Sequence, residues 1–179
     1  MKTVAVTLLG GLIFLILAGL LFIFSGAYDV AATSEDGGLI EWVLETTRER
    51  SVHRSAEGLE VPVPRLDDPR MIRSGLVRYH ALCATCHGAP GVKISEIGQG
   101  LNPYPPELAG EVGEEEPLEL FWVVKNGIKM TGMPAYGVTH GDEEIWEIVA
   151  FLKRMPELSP AEYEELRREA GVDSGRRSR

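Results

Sequence analysis

The sequence has 179 residues and only two cysteines, Cys83 and Cys86, with His87 directly after them. A C-x-x-C-H run is the signature for covalent attachment of a c-type haem. Each member has a mechanical reason. Helical spacing of three puts both thiols on one side, where they can add to the two vinyl groups of one porphyrin. The adjacent imidazole can then sit beneath the iron as proximal ligand. Two other chemistries use the same residue types. A thioredoxin-like redox pair wants a βαβ setting, and no strand pattern precedes the motif. A structural zinc needs further ligands, which His53, His80 or His140 could supply, but no second Cys or His pair has finger spacing. The expected cofactor is therefore haem c, one per chain, covalently attached and carrying iron.

The elements that must position this motif follow from caps and periodicity. Asp68 before Pro69 is an N-cap with proline at the first helical position, and Met71, Ile72, Gly75, Leu76, Tyr79 and Leu82 then recur at three and four. The spacing predicts a helix from Pro69 to about Cys86. Residues 88–116 are rich in Gly and Pro and lack periodicity, unusually long for a loop in a small domain, so they need something to wrap around. Helix signals return over Pro117–Asn126, stopped by Gly127, and over Asp142–Met155, stopped by Pro156. Gly141 stands where a serine cap would be expected, while Asp142, Glu143 and Glu144 suit a helix N-terminus. Ser159, Pro160 and Glu162 make a capping box for a last short helix to about Ala170. No internal repeat is visible.

From Leu66 to Leu158 the chain resembles a class I, monohaem cytochrome c. The likeness is carried by the helix, C-x-x-C-H, a wrapping loop with Asn102, Pro103, Tyr104, Pro105, Pro106, Glu107 and Leu108, a second helix, then Thr131, Gly132, Met133, Pro134, Ala135, Tyr136, Gly137 and a final helix. Residues 28–64 also resemble the lead sequence of membrane-anchored bacterial members. The resemblance implies an all-α fold of four to five short helices around one haem, with His87 and Met133 as axial ligands. It also implies a proline carbonyl that holds the imidazole N–H; Pro106 is the choice, with Pro105 and Pro90 as alternatives. Such an acceptor fixes the tautomer and raises ligand basicity. Met130 competes with Met133 for the distal position. Pro134 pushes the residue before it toward extended geometry, so Met133 can project from a loop, whereas Met130 could pack under the haem edge as a flexible filler. Trp122, Tyr104 and Tyr136 could line the haem edge or meet its propionates, and Lys125 and Lys129 could lie beside it. His80 falls seven residues before His87 on the same expected helix and could be mistaken for a ligand. His53 and His140 read as surface residues.

The N-terminus is a different kind of element. Val4–Phe24 carries no charge over 21 residues, which as a helix spans roughly 31 Å, the thickness of a hydrocarbon core. Lys2 precedes it and Asp29, Glu35 and Asp36 follow, so the positive-inside rule puts the N-terminus in the cytoplasm and the rest outside. A small-residue cleavage site is available at Ser25, Gly26 and Ala27, but the run exceeds a signal h-region, and an uncleaved anchor is expected. Thr7, Gly11 and Ala18 form a small-residue stripe on it. Four segments result: 1–27 the transmembrane anchor, 28–65 a juxtamembrane helix over Leu39–Ala56 and a Val61–Pro64 linker, 66–158 the cytochrome domain, and 159–179 a short helix and basic tail.

With 18 basic against 27 acidic residues the net charge is −9, and the basic cluster Arg176, Arg177 and Arg179 reads as a frayed terminus, so nucleic acid is not an expected partner. The chain outside the anchor suffices for one small domain, which excludes a multidomain enzyme. The expected function is one-electron transfer between redox protein partners on the periplasmic face of the cytoplasmic membrane, with no small-molecule substrate and no catalytic residue. Two alternatives stay open: a haem-based catalyst or gas sensor with a displaceable methionine, and a permanent subunit of an oxidase or quinol-oxidising complex.

Overall fold

The computed structural model describes residues 2–34 and 37–172. Glu35, Asp36 and the basic tail Arg176, Arg177 and Arg179 lie outside the described residues. The chain divides into two units, residues 1–35 and 36–179.

The first unit is one helix, α1 (Lys2–Ser25), followed by a short turn region. It buries none of its residues and is long and apolar enough to cross a membrane. Its side chains are apolar all round, which suits lipid and no aqueous surface. A Cβ added at the stripe residue Gly11 would meet nothing within 4 Å outside its own helix backbone.

The second unit is helical, and its described residues hold one isolated bridge, Ala89 with Val92, and no strand. It starts with α2 (Gly38–Glu57), then α3 (Pro69–Leu82) and the one-turn α4 (Ala84–His87). Two more single turns, α5 (Glu96–Gln99) and α6 (Leu108–Glu111), punctuate the wrapping loop. The remaining helices are α7 (Pro117–Asn126), α8 (Asp142–Arg154) and α9 (Pro160–Glu169). Asp68 caps α3 by accepting from the Arg70 N–H at 2.9 Å, and Ser159 with Glu162 closes a capping box on α9. The helix expected to run unbroken to Cys86 ends at Leu82. Cys83 turns out of it (φ −112°, ψ −38°) and α4 restarts one residue later.

The frame is the crossing of α3 over α8. Its contact point is Gly75, where a Cβ would overlap the Glu147 carbonyl and stand 2.8 Å from Phe151 Cβ. Only hydrogen fits between the two backbones there. Arg78 ties the same crossing from its edge, donating to Glu147 at 2.7 Å and pairing with Glu144 at 2.8 Å. Around it lie the fully buried Leu76, Tyr79, Phe121, Ile145, Ile148, Val149, Phe151 and Met155. Phe121 stacks on Trp146 with centroids 4.4 Å apart, so α7 closes the second side of α8. On the far side α9 brings Tyr163 to within 6.3 Å of Phe151, and the last turns of α2 reach α7 through His53 and Glu119, 2.7 Å apart.

Candidate haem-binding site

The break at Cys83 sets the geometry of the motif. Cys83 N–H still donates to Tyr79 O at 2.8 Å, so the residue closes α3, while its own carbonyl accepts from Cys86 N–H (3.0 Å) and His87 N–H (2.9 Å) as the first turn of α4. Both cysteines are free thiols, Cys83 buried and Cys86 half-buried. Burial first, and the neighbouring Cys86 second, push the Cys83 thiol up to about 12. Tyr79 holds the exit from the motif by donating its hydroxyl to Gly88 O at 2.7 Å from inside the core. Nothing in the local pattern pointed to that bond; Tyr79 reads as one more apolar position of α3.

His87 is half-buried, and its Nδ1 lies 2.9 Å from the Pro106 carbonyl. A carbonyl can only accept, so Nδ1 carries the proton and Nε2 keeps the lone pair. Desolvation lowers the imidazole pKa, against a smaller opposing effect of the Pro106 hydrogen bond, so the ring is held neutral, the state a metal ligand needs. Pro105 is buried and Pro106 exposed, and it is the latter whose carbonyl reaches the ring. A cavity of about 460 Å³ opens beside His87, lined in part by Val92, Ile94, Tyr104 and Ala109. It touches neither cysteine nor Met133, so it flanks the motif and does not join the ligand candidates.

Met133 lies in the loop after α7. Its N–H donates to Thr131 Oγ1 at 3.1 Å and its carbonyl accepts from Ile128 N–H at 3.2 Å. Gly127 makes this close return possible: it has φ +65°, and a Cβ would lie 2.7 Å from Met133 O. Leu101 of the wrapping loop fills the space beside Gly132. Three residues on, Tyr136 donates its hydroxyl to Leu82 O at 2.7 Å, next to Cys83. The Met133 loop is thus fastened to the end of α3 and to the wrapping loop, and Met133 itself is half-buried against the core. Met130 is 96 % exposed, with φ +59°.

Other residues weighed from sequence resolve individually. The Tyr136 hydroxyl is engaged by Leu82, and Tyr104 is exposed. Trp122 is half-buried. Lys125 pairs with Asp142 at 2.6 Å and sits 5.3 Å from the Phe121 ring centroid, while Lys129 is exposed. His80 turns toward α9. Arg167 can only donate, so His80 Nε2 accepts from it at 3.4 Å and Nδ1 donates to the Tyr163 hydroxyl at 3.0 Å. His140 lies 2.9 Å from Thr139 Oγ1, and His53 is exposed but held by Glu119.

The donor set fits a haem: two free thiols three residues apart, a neutral imidazole with a fixed tautomer beside them, and a thioether on a tethered loop. Among the described residues no three His, Cys, Asp or Glu side chains gather as a metal cluster of the zinc kind would require. Residues 70–152 match the family model described as cytochrome c oxidase, cbb3-type, subunit III. No curated protein matches the chain. Helical frame, motif and family match agree: residues 70–152 form a c-type cytochrome domain, which implies haem binding and a role in electron transfer, and the apolar helix α1 fits a membrane anchor.

Proposed function

We propose that the protein is an anchored one-electron carrier with a single covalently bound haem c, working between redox protein partners on the extracytoplasmic face of the cytoplasmic membrane. The haem, when bound, supplies a one-electron iron couple whose potential is raised by His/Met ligation. The chain's own residues do the rest. Cys83 and Cys86 hold the group by thioether bonds. His87 presents Nε2, its orientation and protonation fixed by Pro106, and Met133 presents its sulfur from a loop fastened at Gly127, Tyr136 and Leu101. Two fixed ligands leave no coordination position for a substrate.

The observation that carries this reading is the His87 to Pro106 hydrogen bond within the C-x-x-C-H turn, which commits Nδ1 and leaves Nε2 for iron. The test is extraction of the denatured protein with acidified acetone. The colour stays with the polypeptide if attachment runs through both thiols; colour leaving with the solvent rejects it. Replacing Cys83 or Cys86 by Ser should each remove one thioether.

The description of the matched family, an oxidase subunit, favours a second reading in which the protein is a permanent subunit of a terminal oxidase. Solubilisation in mild detergent discriminates: a carrier elutes by itself, and a subunit elutes with oxidase activity.

A further inference from the structure

The start of α2 carries an apolar face that no part of its unit covers. Leu39, Ile40, Trp42, Val43 and Leu44 are all exposed, Leu39 by 74 % and Trp42 by 62 %. At 3.6 residues per turn Leu39, Ile40, Val43 and Leu44 share one side, Glu41, Glu45 and Arg48 fall on the opposite side, and exposed Trp42 lies between them, at the start of the stripe that continues to His53. The helix meets α7 by a different side and at its other end, where His53 reaches Glu119 and Ala56 is buried. The exposed face is therefore not a loosely closed part of the core.

What stands nearest to it along the chain is a membrane-spanning helix. Only the twelve residues 26–37 separate the end of α1 from the first residue of α2, and a chain of that length reaches at most about 40 Å. Five large apolar side chains in two turns, with a tryptophan among them, on a helix tied so closely to a bilayer match the composition of an interfacial segment. The first two turns hold no Lys or Arg to attract anionic lipid. Apolar burial, not charge, must then supply the attraction.

We propose that Leu39–Leu44 of α2 seats in the interface of the bilayer that α1 spans, and so holds the haem domain down on the membrane. The occupant is lipid of any head-group charge. The inference rests on α1 being the membrane span and is independent of how the haem is ligated.

Trp42 reports on it directly, because the other tryptophans, Trp122 and Trp146, belong to α7 and α8 and α1 has none. Full-length, haem-loaded protein is reconstituted in phosphatidylcholine vesicles and in vesicles of the same lipid brominated on its acyl chains. The Trp42 emission is the difference between the natural protein and Trp42→Phe, and co-sedimentation of the red protein with vesicles checks α1 separately. Trp42 emission should fall at least about twofold in brominated vesicles, at low and high salt alike. The double variant Leu39→Ser with Leu44→Ser should lose that quenching while its visible spectrum is unchanged. Quenching by aqueous iodide without quenching by bromine places the face in water and overturns the proposal. Shielding from both places it under protein, such as a second copy of the chain, and overturns it as well. Quenching that appears only with anionic lipid overturns the apolar account.

Discussion

At the scale of single residues, the site is a set of donor atoms whose residues the protein fixes by other atoms, through the ring in His87 and through the backbone in Met133. His87 spends Nδ1 on Pro106. Thr131 and Gly127 fix the Met133 backbone and leave the thioether to the proposed ligation. Changing Met133 to Ala should remove the sulfur-to-iron charge-transfer band, lower the reduction potential and admit carbon monoxide to the reduced protein. Met130→Leu should leave spectrum and potential as they are, because Met130 is 96 % exposed and supports nothing. The opposite pattern in the two spectra would move the ligand to Met130, and carbon monoxide binding by the natural protein would favour a sensor or catalyst. The C-x-x-C-H run was legible because it is local. The hydroxyl of Tyr79 on Gly88 and that of Tyr136 on Leu82 were not, since a tyrosine at a helical or loop position gives no sign of which distant carbonyl it will meet. For Tyr136 the structure assigns the hydroxyl to a main-chain tether, where sequence reading had weighed a haem-edge role.

At the scale of elements, caps and punctuation were read closely. Gly127 ends α7 and Ser159 begins α9, because these signals act within one turn. The unbroken helix to Cys86 was not found, as periodicity does not register a single residue turning out of the helix at Cys83. The α3–α8 crossing depends on the missing side chain at Gly75. Gly75→Ala should destabilise the protein by about 3 kcal/mol or more, since the added methyl meets backbone that cannot step aside. A denaturant midpoint unchanged in Gly75→Ala would reject the close approach. The α2–α7 contact has its own pH dependence. His53 faces Glu119 first and Glu57 second, with Arg50 opposing weakly, and its pKa lies above the ordinary 6.5. A raised histidine stabilises when protonated, so this contribution is complete below about pH 6.5 and is lost as pH rises through the raised value. Amide hydrogen exchange in the last turns of α2, corrected for its intrinsic pH dependence, should accelerate across that interval. His53→Ala should remove the step.

At the scale of the whole molecule, the two units have opposite solvents. The charged helices α3 to α9 belong in water, and α1 offers apolar side chains over its length. Mass spectrometry of the mature protein should show a chain that retains residues before Tyr28 and stays in the membrane fraction after a high-salt wash. A mature chain beginning at Tyr28 would replace the anchor with a cleaved signal. The fold class was legible from sequence because α3, α7 and α8 each carry apolar periodicity and a local start or stop signal, the Asp68 cap for α3, Pro117 and Gly127 for α7, and the acidic first turn for α8. How the wrapping loop is held was less so. Its ties are long-range: Leu101 beside Gly132, the Pro106 carbonyl on His87, and Lys153 donating to Gly113 O at 2.6 Å and Glu115 O at 2.9 Å. None of these has a local pattern.

The burial of Cys83 bears on the order in which the protein is made. Burial, with the neighbouring Cys86 second, pushes its pKa up to about 12, so the Cys83 thiol is protonated in the closed fold. The same closure shuts the sulfur away from any approaching reactant. On the proposed thioether attachment, the expected order is bond formation at Cys83 before α3 docks on α8, and holoprotein yield should fall when the thiol is offered haem only after the fold has closed.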